Sequence, residues 1–157
     1  MEVIATDIAI ERPSSESGIR LLPKDQSDTL LASSDYVVLS VPVSPLTRGL
    51  IGEEELHQMK PTAYLVNVAR GEVVDEPALI KALKEGWIAG AGLDVFITEP
   101  LPSDSELFEL PNVILSPHIA GASSRGSDRL AEEFADNLRR YIAQQPLRNV
   151  VNRGLGF

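Results

Sequence analysis

Four short apolar runs of strand-forming character recur along the chain, Tyr36-Val37-Val38-Leu39-Ser40-Val41, Ala63-Tyr64-Leu65-Val66, Ala91-Gly92-Leu93-Asp94-Val95-Phe96 and Val113-Ile114-Leu115, separated by stretches with helical patterning. This alternation limits the fold more than any other feature. Parallel strands need long crossovers, and a helix is the usual one, so the expectation is an α/β fold with a parallel sheet flanked by helices. Three of the runs lead into a different polar function. Arg70 follows in Asn67-Val68-Ala69-Arg70-Gly71, Glu99 in Thr98-Glu99-Pro100, and His118 in Ser116-Pro117-His118-Ile119. A cation, a carboxylate and an imidazole are thereby placed at strand C-termini, where ligands bind in open α/β sheets.

The remaining segments fill in this frame. Glu2 to Thr6 and Ile19 to Leu22 read as strands, joined by a polar, Pro13-containing loop over Ile8 to Gly18. A short helix carrying Leu30 and Leu31 starts at Asp25 or Ser27. The run from Tyr36 to Val41 is continuous enough to predict a strand buried on both faces. Pro42 and Pro45 bracket a loop ending near Thr47, and Glu53 to Met59 is a helix with acids in its first turn. Asp75 caps a helix whose apolar stripe is Ala78, Leu79, Ala82 and Leu83, stopped by Gly86. Glu106 to Leu110 is a short turn. Ser124 to Gln144 is the longest helical pattern, with Leu130, Phe134, Leu138 and Tyr141 on one face, and Asn149 to Arg153 is a strand-like tail. Gly90-Ala91-Gly92 precedes a strand and lacks a third glycine, so close helix-to-strand packing is its expected role. Gly154-Leu155-Gly156 lies too late for a nucleotide loop.

Composition narrows the function. A net charge of −9 speaks against sequence-independent nucleic-acid binding, which needs a basic face. There are no cysteines and only two histidines, so neither a disulfide framework nor a metal site is expected. No apolar run approaches a membrane span and the N-terminus has no signal-like pattern, which makes a cytoplasmic protein the expectation. His57, among the acids Glu53 to Glu55, reads as a solvated histidine. Glu132, Glu133 and Asp136 with Arg139 and Arg140 read as a solvated helix face.

Asn67 to Asp75, Gly90 to Phe96 with Glu99-Pro100, and Pro117-His118-Ile119-Ala120-Gly121-Ala122 together resemble the successive signatures of the NAD-dependent D-isomer-specific 2-hydroxyacid dehydrogenases. The likeness runs from about Val3 to the C-terminus. It implies a Rossmann-like, doubly wound parallel sheet, NAD as cofactor and a small 2-oxo or 2-hydroxy acid as substrate, with Arg70, Glu99 and His118 as the catalytic set. His118 would exchange a proton with the substrate oxygen, Glu99 would orient its ring, and Arg70 would hold the substrate carboxylate through its planar fork. The cofactor positions carried over are Asp7, Val41, Pro42, Thr47, Val68, Ala69, Arg70, Asp94, His118 and Gly121. Asp94 would accept from the nicotinamide carboxamide, and Asp7 would take the adenosine ribose hydroxyls, favouring NAD over NADP.

The chain departs from the family in one respect: it contains no Gly-x-Gly-x-x-Gly. In the strand order 3-2-1-4-5-6 the strand and glycine-rich turn that seat the pyrophosphate would lie between the Asp7 strand and the Tyr36 strand. The sheet is therefore expected to be incomplete and its ladder interrupted at the centre. Residues 1–123 are read as a partial NAD-binding domain starting at the second strand, and residues 124–157 as a long helix and tail returning to a substrate domain. The expectation is a C-terminal part of such an enzyme, binding NAD poorly alone and forming a homodimer in its intact parent. Two other functions fit the same residues: an NAD(H)-sensing, corepressor-like interaction module, and an inactive truncated remnant. Trp87, Phe96 and Phe157 are packing residues or pocket walls on equal terms.

Overall fold

The computed structural model describes residues 1–8 and 10–154. Ala9, Leu155, Gly156 and Phe157 lie outside the described residues, and with them one position of the expected Ile8–Gly18 loop, part of the late glycine pair and the Phe157 alternative. The elements run in the order β1 (Val3–Thr6), β2 (Ser14–Glu16), β3 (Ile19–Leu22), α1 (Ser27–Ser33), β4 (Tyr36–Leu39), α2 (Glu53–Gln58), β5 (Tyr64–Asn67), α3 (Glu76–Glu85), β6 (Gly90–Leu93), β7 (Val113–Leu115) and α4 (Gly126–Ile142). Single 3-10 turns occupy Lys24–Gln26, Gly71–Val73 and Glu106–Glu109.

The strands form two ladders. β4-β5-β6-β7 is wholly parallel, with Leu39 opposite Asn67 and Asn67 opposite Leu93. β1 runs parallel to β3, and β2 pairs antiparallel on the other side of β3. Among the described residues no ladder joins β1 to β4. The β2–β3 hairpin departs from the expected loop. Ser17 and Gly18 both have positive φ, the backbone that a tight hairpin turn demands, while Ser14, Ser15 and Glu16 are all exposed and give no apolar alternation to betray a strand.

One hydrophobic core lies under the four-stranded sheet. Leu31 of α1, Leu56 of α2 and Leu79, Ala82 and Leu83 of α3 pack on Val37, Leu39, Leu65, Ala91 and Leu93. The helices start and stop for local reasons. Asp75 accepts from Ala78 N at 3.1 Å at the head of α3, Gly86 turns its end at φ 72°, and Glu55 accepts from Gly52 N at 2.9 Å ahead of α2.

The opposite sheet face corrects the reading of β4 as buried on both sides. Val37 and Leu39 are buried, but Tyr36 is 66% exposed and Val38 60% exposed. Tyr36 stacks on Tyr64 of β5 at 5.8 Å, and Ile114 of β7 is also exposed. Residues of a strand alternate between faces, and α1, α2 and α3 cover only one of them. The apolar stripe of α4 is likewise uncovered: Leu130, Phe134, Leu138 and Tyr141 are all exposed, and α4 buries no residue. Arg140 Nε meets Asp136 at 2.8 Å, as the helix spacing predicts. The tail forms no strand among its described residues. It is tied to α4 instead, through Arg148 N to Asn137 at 2.8 Å and Asn149 Nδ2 to Glu133 at 3.0 Å.

Packing also settles three smaller expectations. Gly90 does not serve a helix: a Cβ there would lie 2.5 Å from Asn112 O and 2.8 Å from the Tyr64 ring, so the close approach is to a loop carbonyl and a neighbouring strand. Phe96 is a core residue. Trp87 is partly buried against the core, its ring stacked on His57 at 3.7 Å with Lys81 Nζ 5.0 Å from its centroid. His57 is thus exposed but not free of contact.

Candidate active site

The strand ends of the four-stranded sheet carry the site. Asn67 closes β5, and the chain turns at once through Val68 and Ala69 to Arg70, which is exposed. Arg70 Nη1 donates to Ala69 O at 2.6 Å. Gly71 follows, and only glycine fits there: a Cβ would lie 2.0 Å from Phe96 C and 2.2 Å from Phe96 O. Absence of a side chain lets the Arg70 turn rest directly on the backbone that leads from β6 toward Glu99.

Glu99 stands at the end of that segment, before a cis bond to Pro100. Its Oε1 accepts from Phe96 N at 3.0 Å and its Oε2 meets His118 Nδ1 at 2.8 Å. The bond to His118 chiefly, then that from Phe96 N, with a smaller contribution from the Arg70 guanidinium, holds the Glu99 carboxyl below the ordinary glutamate range. With Nδ1 engaged, Nε2 is the ring nitrogen of His118 left to face a ligand. Both side chains are more than a third exposed, so the pair is open to solvent.

Asp94, just past β6 and 4% exposed, explains why His118 sits where it does. One carboxylate oxygen accepts from Ser116 Oγ at 2.5 Å and Ile119 N at 2.9 Å, the other from Ala120 N at 2.8 Å, while Asp94 O accepts from His118 N at 2.7 Å. His118 has φ 54°, a left-handed conformation uncommon outside glycine that persists only where its surroundings impose it. The turn is thus bound on three sides to one buried carboxylate. The Ser116 bond first, then the two backbone N–H groups, keep Asp94 below its ordinary pKa.

The positions expected to hold a cofactor divide into groups. Val41, Pro42, Val68, Ala69 and Arg70 line one open cleft of about 520 Å³ at the ends of β4 and β5, with Ser40 and Val43. Thr47 is buried behind it, its hydroxyl accepting from Ser44 N at 2.8 Å and donating to Pro42 O at 2.6 Å. Asp94 and His118 belong to the second cluster with Glu99. Gly121 lies on the exposed surface with open space where a Cβ would be. Asp7 follows β1 in the other ladder and is exposed. Ser116, Ser44 and Asn67 organise the site and were not singled out from sequence. Each is a small polar residue between apolar neighbours, a pattern that does not distinguish a side chain facing solvent from one spanning a turn.

Among the described residues no group of acids and histidines could hold a metal ion, and no helix is long and apolar enough to cross a membrane.

The sequence profile of the D-isomer specific 2-hydroxyacid dehydrogenase NAD binding domain matches residues 1–120. A glyoxylate reductase of Korarchaeum cryptofilum is 51% identical over 138 residues, 88% of this chain and 41% of that protein. A D-isomer specific 2-hydroxyacid dehydrogenase of Xanthobacter autotrophicus Py2, crystallised with NADPH and MES, superposes with a TM-score of 0.90 at 38% identity, covering 99% of this chain and 63% of the other. The NAD-complexed enzyme of Lactobacillus delbrueckii ssp. bulgaricus gives 0.81 at 36% identity, covering 96% and 48%. The chain thus spans less than half the length of the curated relatives it matches. The parallel ladder and the profile match over most of the sequence have one reading: this chain belongs to the D-isomer specific 2-hydroxyacid dehydrogenase family, in the part described as its NAD-binding domain.

Proposed function

We propose that Arg70, Glu99 and His118 are the catalytic set of an NAD-dependent oxidoreductase that interconverts a small D-2-hydroxy acid and its 2-oxo acid. The observation that carries this reading is the 2.8 Å Glu99–His118 pair, set beside the Arg70 turn at the strand ends. In the reducing direction Arg70 holds the substrate carboxylate with its fork, and His118 Nε2 gives its proton to the carbonyl oxygen as the C=O π bond opens. Glu99, held ionised, balances the imidazolium before transfer and fixes the ring afterwards. Bound NAD(H) supplies or removes the hydride at the substrate's C2.

The residues present suit that cofactor. Val41, Pro42, Val68 and Ala69 line the open cleft. The Asp94 oxygen bonded to Ala120 N retains a free lone pair for a carboxamide N–H. Thr47, Gly121 and Asp7 are carried over as cofactor positions from the family resemblance, with Asp7 taking the ribose hydroxyls. Residues 1–123 form the nucleotide-binding part and residues 124–157 connect to a substrate domain. Lacking a Gly-x-Gly-x-x-Gly cradle, the 157 residues by themselves hold NAD weakly. A homodimer is the assembly proposed for the intact protein.

Glyoxylate reduction by NADH, followed at 340 nm in the full protein that carries this sequence, tests the reading. His118→Ala is expected to lose at least about 100-fold in turnover. An unchanged rate would overturn the assignment, and absence of turnover together with NADH-dependent partner binding that survives His118→Ala would favour the interaction module.

A further inference from the structure

Two polar side chains interrupt the apolar interior at neighbouring positions of the ladder. Asp94 is one; Asn67, 1% exposed, is the other, and Asp94 N donates to Asn67 O at 3.0 Å. Asp94 binds the His118 turn. Asn67 does the corresponding work for the Arg70 turn with both ends of its amide: Oδ1 accepts from Ala69 N at 3.0 Å, and Nδ2 donates to Arg70 O at 3.0 Å.

The turn has little freedom left. Val68 N is bonded to Leu39 O at 3.2 Å, Ala69 N and Arg70 O are held by Asn67, and Ala69 O accepts from the Arg70 guanidinium. A leucine would fill almost the same volume without any polar group to satisfy, and an amide buried without partners is costly. The amide at this position gains its value from spanning one turn. That turn carries the one arginine of the site, and a fork can meet a carboxylate in register only if its base is fixed.

We propose that Asn67 is a positioning residue for substrate binding, whose buried amide locks the Arg70 turn in the orientation that receives a carboxylate. The proposal rests on Arg70 being the carboxylate holder. Asn67 touches no reacting atom. Loss of its amide frees Ala69 N–H and Arg70 C=O to find other partners, and weakens carboxylate binding while the Glu99–His118 pair, bound independently through Asp94, keeps its geometry.

Oxamate, a 2-oxo acid mimic, titrated into the ¹⁵N-labelled protein with NADH present, tests both levels by NMR. In the wild type the Arg70 Nε–H signal and the Asn67 side-chain amide signals are expected to move together with oxamate. Asn67→Ser, which shortens the side chain and cannot span the turn, should weaken oxamate roughly fivefold or more, with the His118 ring resonances titrating with pH as in the wild type. Arg70→Ala should abolish the binding. Wild-type oxamate affinity in Asn67→Ser, beside loss in Arg70→Ala, would overturn the positioning role alone. No oxamate-dependent change at Arg70 in the wild type, or wild-type affinity in Arg70→Ala, would instead overturn the reading of Arg70 and the proposal with it. Should Asn67→Ser not fold, the wild-type spectra decide: Asn67 amide signals that stay still while Arg70 moves overturn the coupling.

Discussion

At the scale of single residues, the candidate site is held together by buried groups. Asp94 draws the His118 turn inward through three donors, and its carboxyl lies below the ordinary aspartate range because those donors favour the charged form. A group whose folded pKa is depressed contributes stability above its unfolded value and loses that contribution as pH falls through the folded one. Asp94→Asn should therefore melt lower than wild type at pH 7, by an amount that stays constant down to about pH 4 and shrinks below it. Calorimetry across that range checks this, and a gap that ignores pH would speak against an ionised Asp94. Gly71 acts through what it lacks. Gly71→Ala forces the Arg70 turn away from Phe96 and should cost about 1–3 kcal/mol in urea unfolding; a cost under about 0.5 kcal/mol would mean the contact is looser than described. The sequence made Arg70, Glu99 and His118 legible because their types and order carry chemistry. Asn67 and Ser116 stayed unread because a polar residue at a strand end looks the same whether it points into solvent or spans a turn.

At the scale of elements, periodicity told where helices and strands form better than which of their faces are covered. α3 and α4 have equally clear apolar stripes in sequence. Only that of α3 is buried, because burial depends on a neighbour and not on the pattern. The two helices should respond oppositely to truncation of a large side chain. Leu79→Ala in α3, where the side chain is 2% exposed, should lose about 2–5 kcal/mol, whereas Phe134→Ala in α4, 69% exposed, should stay within about 0.5 kcal/mol. Urea unfolding of the two variants side by side decides the point, and a large loss at Phe134 would mean that α4 packs against something in solution. The same limit explains β4, whose unbroken apolar run suggested two covered faces although only one has helices on it. It explains β2 from the other side: a three-residue strand of serine and glutamate is defined by its turn and its partner, with no apolar signal of its own.

At the scale of the whole molecule, the accessible surface is 10,678 Å², against about 7,700 Å² for a typical compact monomer of 17.0 kDa. The excess is the size of a substantial permanent interface. Much of its apolar part lies on the outer face of β4, β5 and β7 and along α4. Parallel α/β architecture was predictable from the alternation of segments, whereas the break between β1 and β4 was expected only through the family resemblance and the absent Gly-x-Gly-x-x-Gly. The amount of surface left uncovered was not, since no residue reports whether another element packs on it. This one-sided burial has a calorimetric consequence. Heat capacity rises on unfolding in proportion to the apolar surface newly wetted, and a 157-residue chain would ordinarily give about 2 kcal/mol/K. Here water already reaches much of that surface in the native state, so the step in heat capacity should fall clearly below that value, leaving a broad, shallow stability curve with little penalty on cooling.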